Sequence, residues 1–205
     1  MRKFAFAMLG LALVAQSASA ATVTVTPSAP RDATAQEIGG DATLAGKKVY
    51  DFLMTTSGDV LSINEVTITL DGTTNGSLLY QNGTGSDVEP PNPLFLPVFP
   101  ALGADSWITT PGGTSTAGGG FAAANSSWFD TDTSPASNNT VFARLTTGAD
   151  VKGTFNFSVS VPSNDGSTVE SFPFSFPIGV VVPEPATAGM ASMGLLALAA
   201  LRRRK

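Results

Sequence analysis

The feature that most constrains this chain is a run of period-2 alternation from Gly153 to Val161. Phe155, Phe157, Val159 and Val161 fall on one side, and Asn156, Ser158 and Ser160 on the other. Successive side chains of a strand point to opposite faces, so the run buries one face and wets the other only as a strand. Asn164-Asp165-Gly166 follows as a hairpin turn, and Thr168 to Phe176 reads as the antiparallel partner, with a final strand running on to Val182. Thr22 to Thr26 alternates until Pro27, Val60 to Leu70 sets Val66, Ile68 and Leu70 against Thr67 and Thr69, and Thr140 to Thr147 sets Val141, Ala143 and Leu145 against Phe142 and Arg144. Lys47 to Thr56 is apolar on both faces after Asp51 and reads as a buried strand, with shorter strands at Ser77–Gln81 and Asp105–Ile108. Turn signals separate these runs, so the expectation is an all-β fold, a single antiparallel β-sandwich of about 7–9 strands.

Three stretches break the pattern. Ala29 to Gly46 is small and polar and reads as a loop. Pro90, Pro91, Pro93, Pro97 and Pro100 interleave with Leu94, Phe95, Leu96, Val98 and Phe99. Proline withholds a ladder donor, so this segment is expected to be an irregular crossover that buries its apolar side chains over an open sheet end or edge. Phe121 to Asp130 has room for a helical turn, but Asn125-Ser126-Ser127 favours a loop.

Composition removes several chemistries. The chain has no cysteine and no histidine, hence no disulfides, no thiolate, and neither the commonest general base nor the commonest transition-metal ligand. A serine nucleophile has no histidine to activate it. Between the two ends stand five cations, Arg31, Lys47, Lys48, Arg144 and Lys152, against fifteen acids, a net charge of −10. Nucleic-acid binding needs a basic face, and none is available.

Carboxylate pairs run glycoside hydrolysis without histidine; Asp130, Asp132, Asp105 and Glu89 are the candidates, and nothing around them in the sequence marks a raised pKa. Calcium needs only oxygen ligands, and Asp130-Thr131-Asp132 with Asn138 and Asn139, or Asp71 with Asn75, are oxygen-rich. Neither fits an EF-hand, and Asx-rich turns form for backbone reasons, so no metal and no cofactor is expected. Trp107 and Trp128 are candidate stacking faces for carbohydrate, although aromatic side chains serve a core equally well. The expectation for the middle is a non-catalytic structural or interaction role, with a surface-displayed carbohydrate-binding module as the alternative.

The two ends are the most informative. Met1-Arg2-Lys3, the apolar run Phe4–Ala15 and Gln16 to Ala20 make the three parts of a secretory signal peptide, residues 1–20. Ala18 and Ala20 set the signal peptidase site. Residues 21–181 then form one extracytoplasmic domain. At the other end, Pro183-Glu184-Pro185 precedes the uncharged apolar segment 186–201 and the basic end Arg202-Arg203-Arg204-Lys205. Sixteen residues as a helix span ~24 Å, a little short of a ~30 Å hydrocarbon core, which snorkelling and thinning accommodate. The four cations act as a membrane stop on the cytoplasmic side, in agreement with export of everything before them.

Motif, apolar segment and basic end, in this order over residues 182–205, resemble the PEP-CTERM sorting domain of Gram-negative bacteria. The resemblance implies recognition by an exosortase, a membrane-embedded transpeptidase-like enzyme, and cleavage near Pro183-Glu184-Pro185. It also implies transient anchoring in the inner membrane, then release to or attachment at the cell surface or matrix, with exopolysaccharide as a further partner. It covers the tail alone.

Overall fold

A computed structural model of the chain describes residues 20–74, 78–111, 115–118, 120–122, 125–131 and 139–179. The leader, Ala18 included, and the whole tail with Pro183, Glu184, Pro185, the segment 186–201 and Arg202 to Lys205 lie outside these. Among the described residues no helix is long and apolar enough to cross a membrane.

The chain is mostly β, in two antiparallel sheets. The first sheet has the order β1 (Val23–Pro27), β3 (Lys47–Thr56), β9 (Thr140–Gly148), β6 (Trp107–Ile108), with β2 (Arg31–Asp32) paired to β3. The second has the order β11 (Val169–Ile178), β10 (Gly153–Pro162), β4 (Ser62–Leu70), β8 (Ser126–Asp130), β7 (Ser115–Gly118), with β5 (Thr73–Thr74) on β4. Eight of these eleven strands have four residues or more.

One core joins the sheets. Tyr50, Phe52, Met54, Phe142 and Leu145 from the first meet Ile63, Val66, Ile68, Phe155, Phe157 and Val159 from the second. The rings of Phe52 and Phe155 meet edge to face at 5.0 Å, and those of Phe142 and Phe157 at 5.4 Å. Such pairs add about 0.5–1.5 kcal/mol each beyond area burial. The alternation of β10 is therefore the pattern of a strand whose apolar side faces the opposite sheet.

Two bulges adjust the expected faces. In β9 the register to β3 slips between Phe52 and Leu53, so that Ala143 pairs with Phe52 and Val141 with Leu53. The extra residue, Phe142, turns inward and is fully buried beside Ala143, although simple alternation puts the two on opposite faces. In β4 the slip falls around Glu65, which adopts φ 55° and lets Val66, Ile68 and Leu70 keep the core face.

β11 is an edge strand, paired to β10 along its full length from Val169↔Pro162 to Ile178↔Gly153. Its Phe172, Phe174 and Phe176 pack on the core, while Pro173 and Pro177 occupy alternate positions whose nitrogens face away from β10.

Several expectations are corrected. Ala29–Gly46 is not a plain loop: it holds β2, helix α1 (Ala35–Gly40) and a 3₁₀ turn at Ala42–Leu44. The cause is a capping box, in which Thr34 accepts from the Glu37 N–H and Glu37 accepts from the Thr34 N–H. Leu78 to Gln81 is not a strand, although Tyr80 N–H reaches the Thr146 carbonyl of β9 at 2.7 Å. Ser126 to Asp130 is strand β8, not loop, because β4 and β7 supply partners on both sides.

Candidate functional site

On β3, Val49 and Asp51 face away from Tyr50 and Phe52, toward a second, smaller core. That core consists of Val49, Ala33, Leu44, Tyr80, Ala101 and Ala104, with Ile38 of α1 packed against it. Its lid is α1 together with the 3₁₀ turn Pro100–Ala104.

Two arginines fasten that lid. Arg144 lies opposite Asp51 across the β3–β9 ladder and grips it two-pronged, Nε to Oδ1 at 2.6 Å and Nη2 to Oδ2 at 3.0 Å. Its remaining prong donates to the Gly103 carbonyl at 2.6 Å. Arg31 of β2 forks onto both Glu37 oxygens at 2.9 Å and also donates to the Gly103 carbonyl at 3.2 Å. Burial pushes the Glu37 carboxyl upward, but Arg31 and the Thr34 amide together hold it below its usual range. The hydrogen bond to Glu37 raises Arg31 in turn, against the opposing effect of burial.

The segment entering this lid is the proline-rich one, and it departs from expectation. Asn92 accepts from the Leu94 N–H through its side chain and from the Phe95 N–H through its carbonyl. The Phe95 carbonyl accepts from Val98 and Phe99, at 3.0 and 2.8 Å. These stacked turns place Leu94, Phe95, Val98 and Phe99 together on the outside, where they are 80%, 55%, 70% and 49% exposed. They were expected to be buried over a sheet edge. The prolines prevent pairing with any edge, and the lid core is already filled by Ala101 and Ala104 from the residues that follow. Leu96 alone turns inward, and with Thr34, Gln36, Glu37, Pro100 and Gly103 it lines an open groove of about 120 Å³. Residues 90–104 carry no charge at all. An uncharged proline-interrupted run with apolar residues at i, i+1, i+4 and i+5 is the signal that identifies this ridge.

The sequence candidates lie elsewhere. Trp128 is fully buried between Phe121 and the Asp87 carbonyl, to which its indole N–H donates at 3.2 Å. Trp107 is 3% exposed with the Arg144 guanidinium 5.9 Å above its ring, and among the described residues its Nε1 has no hydrogen-bond partner. Neither indole presents a face to a sugar, so the stacking role expected of them does not hold in this fold. Both belong to short strands that the sheets cover.

Asp105 is the carboxylate with an unusual environment. It is 1% exposed, and burial pushes its pKa up to about 6, helped by nearby Asp87 and opposed by backbone N–H groups of Asn82, Ser106 and Ser86. No sequence signal marks this, because the burial comes from the loop that Asp105 itself holds: Asn82 N–H donates to it at 2.7 Å and Gly85 packs on its carboxylate. Glu89 is exposed, Asp130 sits half-buried in β8, and Asp132 lies outside the described residues. Of the oxygen-rich turns, Asp71 takes φ 45° and accepts from the Lys152 N–H, and Asn139 donates its N–H to Thr55. Asn75 and Asn138 lie outside the described residues. Among the described residues no three Asp or Glu side chains come together in a way that could hold a metal ion.

The chain is thus a mostly β protein of two antiparallel sheets, with an apolar ridge beside a doubly clamped lid. Residues 181–205 match the family model of the PEP-CTERM protein-sorting motif, so the tail carries the signal that sends proteins through an exosortase toward the cell surface. The match covers the tail and leaves the β domain unassigned. No curated protein and no solved structure matches the chain.

Proposed function

We propose that this is an exported, non-catalytic surface protein whose domain is a β-sandwich delivered by its leader and sorted through Pro183-Glu184-Pro185. The observation that carries the reading is the sorting-motif match at residues 181–205. Signal peptidase removes residues 1–20, and segment 186–201 holds the chain in the inner membrane with Arg202 to Lys205 in the cytoplasm. Exosortase then cuts near the motif. The domain joins the cell surface or its exopolysaccharide matrix and acts there by contact, not by chemistry.

Mass spectrometry of the mature protein from its own host tests this. The expected product begins at Ala21 and ends near residues 183–185. A product that still carries Lys205 at steady state overturns the processing step and leaves an uncut anchor. A Glu184→Ala chain that is processed as efficiently as the parent removes the motif from the account.

A further inference from the structure

We propose that the ridge of Leu94, Phe95, Val98 and Phe99 is a second membrane contact, which dips into the bilayer surface while the tail is still uncut. The inference rests on the reading of segment 186–201 as a membrane anchor. Four large apolar side chains stand out together, held by turns that are already formed and by prolines that cannot rearrange. Ordering them on a surface therefore costs little conformational entropy. Between Glu89 and Asp105 there is no charged group to desolvate.

The tether selects the occupant. Ile178 is fully buried at the end of β11, and Gly179 packs against the Val151 carbonyl. Only six residues, 180–185, separate Gly179 from the apolar segment, a reach of at most ~20 Å at ~3.3 Å per residue. The domain is thus kept beside the bilayer at high effective concentration, where even a weak affinity suffices. The exit and the lid also lie toward the same end of the first sheet. Val151 follows Gly148, which pairs with Lys47 at the start of β3, and the Lys47 carbonyl accepts from Ala33 just before α1.

Charge narrows the lipid. The flank of the ridge carries the half-buried Asp87 and the exposed Glu89, there is no cation from residue 81 to 106, and the domain as a whole is strongly acidic. A zwitterionic headgroup accepts such a surface, whereas an anionic one repels it. The same repulsion disfavours pairing of two ridges.

The absence of cysteine from the chain gives the test a clean background. The full-length chain is reconstituted into phosphatidylcholine vesicles with a single environment-sensitive label at Val98→Cys, or at Ser171→Cys on exposed β11 as a control. The Val98 label is expected to shift to the blue and to be quenched by spin-labelled lipid, and the Ser171 label to behave as in water. Adding Leu94→Ser, Phe95→Ser and Phe99→Ser should return the Val98 label to its aqueous spectrum, and anionic vesicles should weaken its shift. If the chain floats with the vesicles but the Val98 label stays aqueous, the ridge contact is wrong and the anchor stands. A shifted label that lipid quenchers do not reach identifies a protein contact instead and also overturns the proposal. If the chain does not float at all, the anchor reading fails and takes this inference with it.

Discussion

Arg31 and Arg144 donate to one and the same acceptor, the Gly103 carbonyl, at 3.2 and 2.6 Å. Each arrives already paired, Arg31 with Glu37 and Arg144 with Asp51, so the 3₁₀ turn is fastened from two strands at once. Arg144 is the more enclosed arginine, 19% exposed against 35% for Arg31. Arg144→Ala leaves the half-buried Asp51 carboxylate without its donor and the Gly103 carbonyl with Arg31 alone, and is expected to cost about 3 kcal/mol. Arg31→Ala, at a more open position, should cost about 1 kcal/mol. Denaturant titration distinguishes the two, and Arg144→Lys should not restore the parent value, since an ammonium cannot reproduce the three-way fork.

Acidification should stabilise the domain before it destabilises it. Burial raises the Asp105 pKa from 3.8 to about 6, so this carboxyl opposes folding when ionised. The native state holds the proton more tightly than the unfolded chain, so the stability it contributes is full below about pH 4 and lost as pH rises through 6. The difference amounts to about 3 kcal/mol at 1.36 kcal/mol per unit. Glu37, Asp41 and Asp165 are lowered and act in the opposite sense, their contribution being lost as pH falls through the usual carboxylate range and below it. The melting temperature should therefore be higher at pH 5 than at pH 7, and Asp105→Asn should flatten that rise.

The exposed ridge and the buried indole should respond in opposite ways. Leu94→Ser and Val98→Ser should leave the melting temperature within the equivalent of ±0.5 kcal/mol, since neither side chain is part of a core. Trp128→Ala empties a fully buried site and should cost about 3–5 kcal/mol. A ridge variant that melts like the tryptophan variant means that these side chains are buried in solution.

Two glycines make a matched pair for backbone effects. Gly179 adopts φ +73°, and a Cβ there lies 2.1 Å from the Val151 carbonyl oxygen, so Gly179→Ala should cost about 1–3 kcal/mol. Gly39 sits in α1 with nothing near its missing Cβ, and Gly39→Ala should gain about 0.5–1 kcal/mol. Thermal unfolding reads both.

The strands legible in the sequence are those in which one side of the chain has a core to face. β1, β10 and β11 follow their alternation because one side packs on the core, β4 and β9 follow it on either side of a bulge, and β3 is apolar on both faces because the lid covers the second one. The bulge at Phe142 was not legible, since a slip of one residue depends on what β3 places opposite. The helix at Ala35–Gly40 has one sequence signal, the capping-box spacing of Thr34 and Glu37, but its six residues include two glycines and bear no apolar stripe. β7 and β8 were hidden because glycine and serine become strand only when neighbours supply the ladder. The ridge reversed its expected side because proline content says where a segment cannot pair and nothing about which way it turns. Trp107 and Trp128 illustrate the same limit from the other direction, since an aromatic side chain carries no mark of whether it serves a core or a ligand.

β11 ends the second sheet with a margin that is poor in hydrogen-bond donors. Pro173 and Pro177 occupy the rim positions that would otherwise offer N–H groups to a newcomer. With two of its outward N–H groups missing, that margin is a poor template for a further strand, and edge-to-edge growth of copies through it is disfavoured.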